Sequence, residues 1–289
     1  MSLHSEEDFK RLYRRLGEQF LISDIMVRRP EIQHVQKGEL NKALNLVKKF
    51  RFSAVPTSSN EGRWYDGVFV PTTHPGDPGV MLNFRELRVE DFIPESTPLI
   101  DAIEHFRERQ WFLTLKATSV SGIVTYTDFS KRAFLLQLFS LLGRFEELSR
   151  DLLANEGCGD GNDPGGLTHL LGEKRIEVAR VRFERNFQAS SQNRFVDTLQ
   201  FNDVEDALIQ YAPWREFLRE KGRFKIASIN DYKRRTFNEF RDRVMHGREV
   251  VTSLDDFPKL LEHLRALESI LLDLEDYLRE QVRKSASPA

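Results

Sequence analysis

Cysteine is scarce in this sequence of 289 residues, since Cys158 is the only one. A single cysteine excludes a disulfide framework and a zinc site built from several cysteines of one chain. Long apolar runs are also missing: no stretch reaches about eighteen apolar residues, so we expect no transmembrane helix. The first residues are polar and acidic, which is not typical of a secretory signal peptide. We therefore expect a reduced, cytoplasmic protein that does not contact a membrane.

An excess of charge of one sign is missing as well. The 43 Lys and Arg residues nearly balance the 45 Asp and Glu residues, which gives a net charge of −2. The balance hides an uneven distribution, because residues 174–248 hold 17 basic and 11 acidic residues. This stretch is the candidate for a surface that faces a polyanion. The same pattern is also typical of a solvated helical face that pairs with acidic flanks.

Paired metal ligands are absent from the sequence. The seven histidines are scattered, and none forms an H-x3-H or H-E-x2-H pair. The Gly-rich residues 157–166 lack the Lys-Ser/Thr that follows a P-loop, and they are typical of a linker. We therefore predict no metal site and no required cofactor.

The first 133 residues contain a repeated order of short elements. Residues 40–50 and 98–109 have apolar residues at helical spacing, and two short apolar runs follow each stretch. With opening strands predicted at residues 24–27 and 89–93, the order β-α-β-β occurs twice. We expect the two units to pack together, because each alone leaves one face of its sheet open.

The pattern becomes that of a helical domain from about residue 134. Apolar residues recur every three or four positions over residues 134–152, and further helices are predicted at 204–208, 214–219 and 226–246. A long last helix begins near Asp256, a candidate N-cap. The predicted fold class is α+β followed by all-α. Its parts are a helical extension (1–17), two β-α-β-β-α units (18–133), a helical domain (134–284) and a disordered tail (285–289).

A polar motif closes the second repeat. Residues 122–128, Gly-Ile-Val-Thr-Tyr-Thr-Asp, place the Thr125 hydroxyl at the end of a strand and the Asp128 carboxylate near the start of a helix. A carboxylate in this position can accept both hydroxyls of a ribose, and the helix N-terminus favours a phosphate. The same two residues are typical of a plain N-cap. Both interpretations stay open.

Residues 18–133 resemble a tandem pair of CBS domains. Residues 24–27 are similar to the opening strand of that family, and residues 52–56 to its strand and proline before the hairpin. Residues 122–128 match its G-h-h-T-x-x-D ribose motif.

The resemblance implies a cleft that holds an adenosyl ligand such as AMP, ATP or S-adenosylmethionine. It implies that Thr125 and Asp128 contact the phosphate and ribose of this ligand. The matching segments add three further predicted ligand-binding residues, Val27, Val55 and Pro56.

The first repeat departs from the ribose motif. In its corresponding segment, Val70 stands in place of the threonine and Thr73 in place of the aspartate. A long polar loop at residues 58–63 also separates its strands. We therefore expect at most one functional cleft per chain.

A second motif lies in the basic stretch. Arg241 and His246 are five residues apart, about 140° around a helix, and they can converge if the helix ends there; Gly247 favours such an end. Histidine moves protons near neutral pH, and arginine holds a phosphate and stabilises developing charge. Because the 2′-hydroxyl of RNA can be the nucleophile, this pair needs no metal. A histidine at a helix end is equally typical of a structural role.

Residues 134–282 resemble the all-helical HEPN superfamily. The resemblance is carried by residues 241–246, Arg-Asp-Arg-Val-Met-His, which are similar to its R-polar-x3-H signature, and by the long helix that follows. It implies a dimeric, metal-independent ribonuclease. His246 would be the general acid and base, Arg241 the binder of the phosphate and transition state, and Asp242 an orienting group. Many members of the superfamily are instead non-catalytic binding modules.

The two resemblances together predict an adenosyl-nucleotide-sensing homodimer whose ribonuclease domain is regulated by the CBS pair. The alternative is a non-catalytic nucleotide-sensing dimer that binds RNA or a protein partner. The expected ligand is an adenine nucleotide, and RNA is a candidate partner. In the first case His246→Ala abolishes RNA cleavage, whereas in the second the wild-type protein does not cleave RNA.

Overall fold

A computed structural model of the chain describes residues 20–59, 64–155, 157, 165–187, 194–221, 238–248 and 250–286. The chain divides into two compact units. The first unit consists of Met1–Gln137 and Gly247–Leu261, and the second of Leu138–His246 and Glu262–Ala289. Residues 247–261, which lie within the predicted helical domain (134–284), belong to the first unit.

Two sheets form the first unit. Their strands are β1 (Val27–Arg28), β2 (Val55–Ser59), β3 (Trp64–Pro71), β4 (Leu82–Glu86), β5 (Phe92–Pro94), β6 (Trp111–Lys116) and β7 (Ser119–Thr125). In one sheet the β6–β7 hairpin is flanked by β1, antiparallel to β7, and by β5, parallel to β6. In the other, the β2–β3 hairpin is flanked by β4, antiparallel to β3, and by Val35, which bridges to β2 in parallel. The same arrangement around each hairpin agrees with the predicted internal repeat.

Three of the described α-helices lie wholly within the first unit. They are α1 (Ile22–Ile25), α2 (Leu40–Phe50) and α3 (Leu99–His105). Helix α2 lies where the helical spacing predicts it, with Ala43 and Val47 fully buried on one face. These two side chains pack in a cluster with Val55 and Phe69 of the β2–β3 hairpin.

Both predicted opening strands begin with a helical turn instead. Residues 22–25 form α1, and β1 starts only at Val27. Residues Val89–Asp91 form a 3-10 turn before β5. The reason is the same in both places. The carboxylate of an aspartate accepts the backbone N–H of the residue three positions before it and closes the turn. Asp24 accepts the N–H of Leu21 at 2.7 Å, and Asp91 accepts the N–H of Arg88 at 2.8 Å.

The β2–β3 sheet contains two further differences from the prediction. Residues 53–56 were expected to form a strand that ends at the proline, but β2 continues through Pro56 to Ser59. This is possible because β2 is the edge strand and the Pro56 carbonyl faces outward, where it accepts the N–H of Val35 at 3.1 Å. Strand β4 was not predicted. Only two of its five residues are apolar, and it forms by pairing with β3.

Glycines allow each hairpin to approach its flanking strand closely. A Cβ atom on Gly122 would lie 2.5 Å from the Val27 carbonyl oxygen of β1. One on Gly67 would lie 2.4 Å from the Phe84 ring of β4. The glycine of the 122–128 motif is therefore required for sheet packing.

Aromatic rings close the core of the first unit behind the motif. The ring of Phe129, which is fully buried, lies 5.0 Å from Phe106, 5.1 Å from Phe134 and 5.3 Å from Phe257, measured between centroids. Such edge-to-face contacts stabilise beyond simple burial. They fix the 3-10 turn Tyr126–Ser130, which carries Asp128.

The second unit is helical, as predicted. The helices with residues in it are α4 (Arg132–Asn155), α5 (Gly165–Leu171), α6 (Glu173–Phe187), α7 (Phe201–Gln210), α8 (Ala212–Glu220), α9 (Asn238–Met245) and α10 (Asp256–Ala286). Helix α5 begins inside the segment interpreted as a linker, and α10 includes residues 285–286, which were predicted to be disordered. The predictions for residues 1–17, 226–237 and 287–289 lie outside the described residues. Within the described part of the chain, no helix combines the length and apolarity needed to cross a membrane.

Candidate functional site

A cleft of about 450 Å³ opens in the first unit where β7 ends. Four of the five predicted ligand-binding residues line it: Val27 from β1, Pro56 from β2, Thr125 at the end of β7, and Asp128 in the turn that follows. The fifth, Val55, does not, because its side chain is fully buried against α2. Successive side chains of a strand point to opposite faces, so Val55 and Pro56 cannot both face the cleft.

The lining of the cleft is mixed in character. Apolar side chains form much of it, and hydroxyls, two carboxylates, an arginine and a histidine supply the polar groups. The apolar residues are Val27, Ile32, Phe50, Phe52, Ala54, Pro56, Pro75 and Ile123. The polar ones are Glu31, Gln33, Arg51, Ser53, His74, Thr125, Tyr126, Thr127, Asp128 and Thr252. The cleft therefore offers both apolar surface and polar groups to a small molecule.

Thr125 and Asp128 form a capping box. The Asp128 Oδ2 atom accepts the backbone N–H of Thr125 at 2.6 Å and its hydroxyl at 2.9 Å. The hydroxyls of Thr125 and Thr127 lie 2.8 Å apart and share a hydrogen bond. The capping interpretation of these two residues is therefore correct, and it leaves the threonine hydroxyls aligned along one edge of the cleft.

The second oxygen of Asp128 has a cationic partner. The Lys131 ammonium lies 2.8 Å from Asp128 Oδ1 and also donates to the carbonyl of Ile25. A carboxylate oxygen can accept two hydrogen bonds, so Oδ1 keeps room for one further donor. The Lys131 side chain is about 43% exposed.

Aromatic and basic side chains from the end of α2 form another part of the lining. The rings of Phe50 and Phe52 are stacked, with centroids 5.2 Å apart and planes 20° from parallel. Phe50 is 48% exposed. Arg51 between them adopts a left-handed conformation with φ 56°, which is unusual for a residue other than glycine or asparagine.

His74 is held in one tautomer in its neutral form. Its Nδ1 atom accepts the backbone N–H of Gly76 at 3.1 Å, which makes Nε2 the protonated nitrogen of the neutral ring. The sequence analysis identified neither Arg51 nor His74. One feature of the sequence could have indicated Arg51: the helix before it ends without the glycine that commonly follows a helix. His74 reaches the cleft only through tertiary structure, so the local sequence does not indicate it.

A second cavity, of about 400 Å³, lies beside Val70 of the first repeat. Its lining includes Arg85, Arg88 and Arg109, whereas Thr73 is not part of it. The second cavity therefore has the apolar Val70 side chain at the position where the first cleft has the Thr125 hydroxyl.

Two arginines of the second cavity, Arg85 and Arg109, are paired with a buried carboxylate. Both terminal nitrogens of Arg85 donate to Asp91 at 2.6 Å, and Arg109 donates to it at 2.7 Å. The Asp91 side chain is almost completely buried. Burial by itself raises the pKa of Asp91, but the hydrogen bonds from Arg85 and from the N–H of Arg88 outweigh it and hold this pKa below its usual value. The carboxylate is thus committed to an internal ion pair.

The Arg-His motif lies at the end of α9. His246 follows the helix, and its backbone N–H donates to the Asp242 carbonyl at 3.1 Å. Its Nε2 atom lies 3.8 Å from the Asp242 carboxylate, and both side chains are more than half exposed. Arg241 instead contacts α7: it donates to Asn202 at 3.3 Å, and its guanidinium lies 4.8 Å from the centre of the Phe201 ring. The structure thus brings Asp242 and His246 together and directs Arg241 to another partner.

Metal ligands do not cluster in the part of the chain that the structure describes. No group of three or more His, Cys, Asp or Glu side chains there could hold a metal ion. The basic residues 233–235 near the motif, and Cys158, lie outside the described residues.

The chain is similar to several solved structures at low sequence identity, two of which are described below. No family model matches the chain, and no curated protein matches it. A functionally unknown conserved protein domain from Neisseria meningitidis MC58 is 18% identical, with 43% of this chain and 86% of that domain covered and a TM-score of 0.30. The CBS domain of a bacterial CNNM/CorC family Mg²⁺ transporter, in complex with the inhibitor IGN95a, is 17% identical, with 44% and 84% covered and a TM-score of 0.31.

Proposed function

We propose that the first unit binds an adenosyl ligand in the cleft at Thr125 and Asp128 and acts as a nucleotide-sensing regulatory module. One observation supports this most strongly. Val27, Pro56, Thr125 and Asp128 are up to a hundred residues apart in the sequence, yet all four line one cleft of about 450 Å³. This volume lies within the range of about 300–1,000 Å³ that small-molecule sites occupy.

Asp128 and Thr125 are the proposed ribose contacts. The free position on Asp128 Oδ1 can accept one ribose hydroxyl, and withdrawal of Lys131 provides a position for the second. The Thr125 hydroxyl donates to Asp128 and accepts from the Thr127 hydroxyl, so one of its lone pairs remains for the ligand. The capping box holds both groups in place before the ligand arrives, which reduces the ordering cost of binding.

The remaining lining provides contacts for the other parts of the ligand. The half-exposed Phe50 ring stacks on Phe52 and has the Lys49 ammonium 5.0 Å from its centroid. Displacement of Lys49 would let this ring stack on the adenine base, because every base has a π-face for such contact. Arg51 and His74 are the candidate partners of a phosphate or of another anionic group. Each of these residues is a proposed contact that the sequence motif alone does not include.

A thermal-shift panel of AMP, ATP and S-adenosylmethionine tests the proposal. A ligand at a hundred times its dissociation constant stabilises the folded state by about 2.7 kcal/mol. We expect a shift with at least one of the three in the wild type and its loss in Asp128→Ala. Asp24→Ala is the matched control, because Asp24 closes the same kind of turn outside the cleft lining. If no ligand shifts the wild type, or if Asp128→Ala keeps the full shift, the proposed function is wrong.

A second candidate function is metal-independent RNA cleavage at His246 by a homodimer, regulated by the first unit. The observation that favours it is the exposed His246 ring beside the Asp242 carboxylate, an arrangement that can orient a histidine for proton transfer. Arg241 would have to leave Asn202 and Phe201 in order to bind a phosphate. The alternative is a non-catalytic dimer in which the same surface binds RNA or a protein partner.

The comparison of His246→Ala with His169→Ala tests the cleavage proposal. Both histidines are exposed in the second unit, so each substitution should change stability by less than about 0.5 kcal/mol. We expect metal-free RNA cleavage to be lost in His246→Ala and kept in His169→Ala. Cleavage that survives in His246→Ala would exclude the assignment, and an inactive wild type that still binds RNA would favour the non-catalytic alternative.

A further inference from the structure

One residue of the ligand cleft comes from a distant part of the sequence. Thr252 lines the cleft together with Thr125 and Asp128, although it follows them by more than a hundred residues. It belongs to residues 250–257, which we name the return segment because they lie within Gly247–Leu261, where the chain is again part of the first unit.

The return segment is fixed to the turn that carries Asp128. The hydroxyl of Ser130, two residues after Asp128, donates to the Val251 carbonyl at 2.9 Å, and the Val251 side chain is buried. Phe257 is fully buried and contacts the ring of Phe129, the residue directly after Asp128, at 5.3 Å. The segment therefore attaches to the two residues that follow the ribose motif.

A local hydrogen-bond network orients Thr252. Asp256 Oδ2 accepts the backbone N–H of Thr252 at 2.7 Å, its hydroxyl at 2.8 Å, and the backbone N–H of Ser253 at 2.8 Å. Because the Thr252 hydroxyl donates to Asp256, its lone pairs remain available to accept a hydrogen bond from a group in the cleft. A ribose hydroxyl and the amino group of adenine are both donors of this kind.

We propose that the return segment completes the adenosyl-ligand cleft and that Thr252 is a ligand-contacting residue that accepts a hydrogen bond from the ribose or the adenine amino group. This inference rests on the proposed function of the cleft. It extends the site beyond the repeated units, since no residue of the sequence motifs predicts it. Only residues 247–249 separate His246 from the return segment, so a ligand that holds Thr252 also restrains the chain directly after the Arg-His motif.

Isothermal titration calorimetry with AMP, ATP and S-adenosylmethionine as probes tests the contact in the full-length chain. Thr252→Val keeps the shape of the side chain and removes the hydroxyl, and we expect it to weaken binding about three- to tenfold, as the loss of one hydrogen bond does. Thr252→Ser keeps the hydroxyl and should bind within about twofold of wild type. Thr72→Val is the matched control, because this exposed threonine of the first unit is outside the cleft lining. Wild-type affinity in Thr252→Val, or an equal loss in Thr252→Ser, would overturn the proposal.

Amide hydrogen exchange of the same proteins provides a second measurement. We expect a bound probe to slow exchange in residues 250–257 of the wild type and to slow it less in Thr252→Val. Unchanged exchange in this segment on binding would contradict the inference. The failure of this inference is distinguishable from the failure of the proposed function. If Asp128→Ala abolishes binding and Thr252→Val does not change it, only the role of Thr252 is excluded. If the wild type does not bind any of the probes, both proposals are excluded.

Discussion

The two cavities of the first unit are similar in volume, about 450 and 400 Å³, but they use their charged groups differently. In the cleft at Asp128, the carboxylate closes a turn and pairs with the partly exposed Lys131. In the cavity at Val70, the Asp91 carboxylate is buried and its hydrogen bonds go to Arg85, Arg109 and the Arg88 backbone. Both carboxylates have partners inside the protein, but two guanidinium groups hold Asp91, whereas one partly exposed lysine side chain holds the Oδ1 atom of Asp128.

The largest expected effect is the loss of the ion pair in the second cavity. Asp91→Asn should lower the free energy of unfolding by about 2–3 kcal/mol, because it leaves two arginines without their buried acceptor. Glu90→Gln is the control: this neighbouring carboxylate is half exposed, and its loss should change stability by less than about 0.5 kcal/mol. Urea unfolding at pH 7 measures both. Equal stability of the two variants would contradict a stabilising role for the ion pairs of Asp91 in the second cavity.

The same carboxylate predicts a pH dependence. Its pKa is lower in the folded protein than its ordinary value of 3.8, so its contribution to stability is fully present above that value. The contribution is lost as the pH falls through the lower, folded-state pKa. The stability difference between wild type and Asp91→Asn should therefore be constant above about pH 5 and shrink below about pH 4. Urea unfolding at a series of pH values measures it, and a difference that grows toward acidic pH would contradict the assigned direction.

A medium effect is expected at the entrance of the first cleft. Phe50→Ala should weaken adenosyl-ligand binding about tenfold if the base stacks on this ring, since such contacts contribute about 1–3 kcal/mol. Leu40→Ala is a matched control, because Leu40 lies on the same helix, is 47% exposed against 48% for Phe50, and is outside the cleft lining. Calorimetric titration measures the ligand affinity of both variants. Equal affinities of the two variants would exclude Phe50 as the base contact.

The smallest expected effect is that of Val70, which stands in the first repeat where the ribose motif has a threonine. Val70→Thr restores a hydroxyl to the second cavity, but Asp91 remains paired with Arg85 and Arg109. We therefore expect no new binding and a stoichiometry that stays at one ligand per chain. A second binding event in the calorimetric titration of this variant would show that the hydroxyl alone separates the two cavities.

Sequence patterns predicted the parts of the fold whose stability is local. Helix α2 and the β6–β7 hairpin lie within a few residues of their predicted places, because periodic apolar residues define them. Strand β4 and the passage of β2 through Pro56 were missed. Both depend on pairing with a neighbouring strand or on a position at the sheet edge, and neither condition is visible in a short window of sequence.

The same distinction applies to the candidate site. The capping geometry of Thr125 and Asp128 follows from residues three apart, so the motif predicted it. Val55 was misplaced because alternation along β2 turns it toward the core. Arg51, His74 and Thr252 reach the cleft only through tertiary structure, and Arg241 contacts Phe201 through the packing of α9 against α7.

The burial of Phe257 in the first unit also affects the order in which the protein can fold during synthesis. Phe106 and Phe129 leave the ribosome well before residue 257. In the folded protein, both rings pack against the ring of Phe257. The residues of the second unit up to 246 are made in between. The first unit to be translated therefore cannot complete its core until residue 257 has been made, and its aromatic residues remain without this partner while most of the helical unit is synthesised.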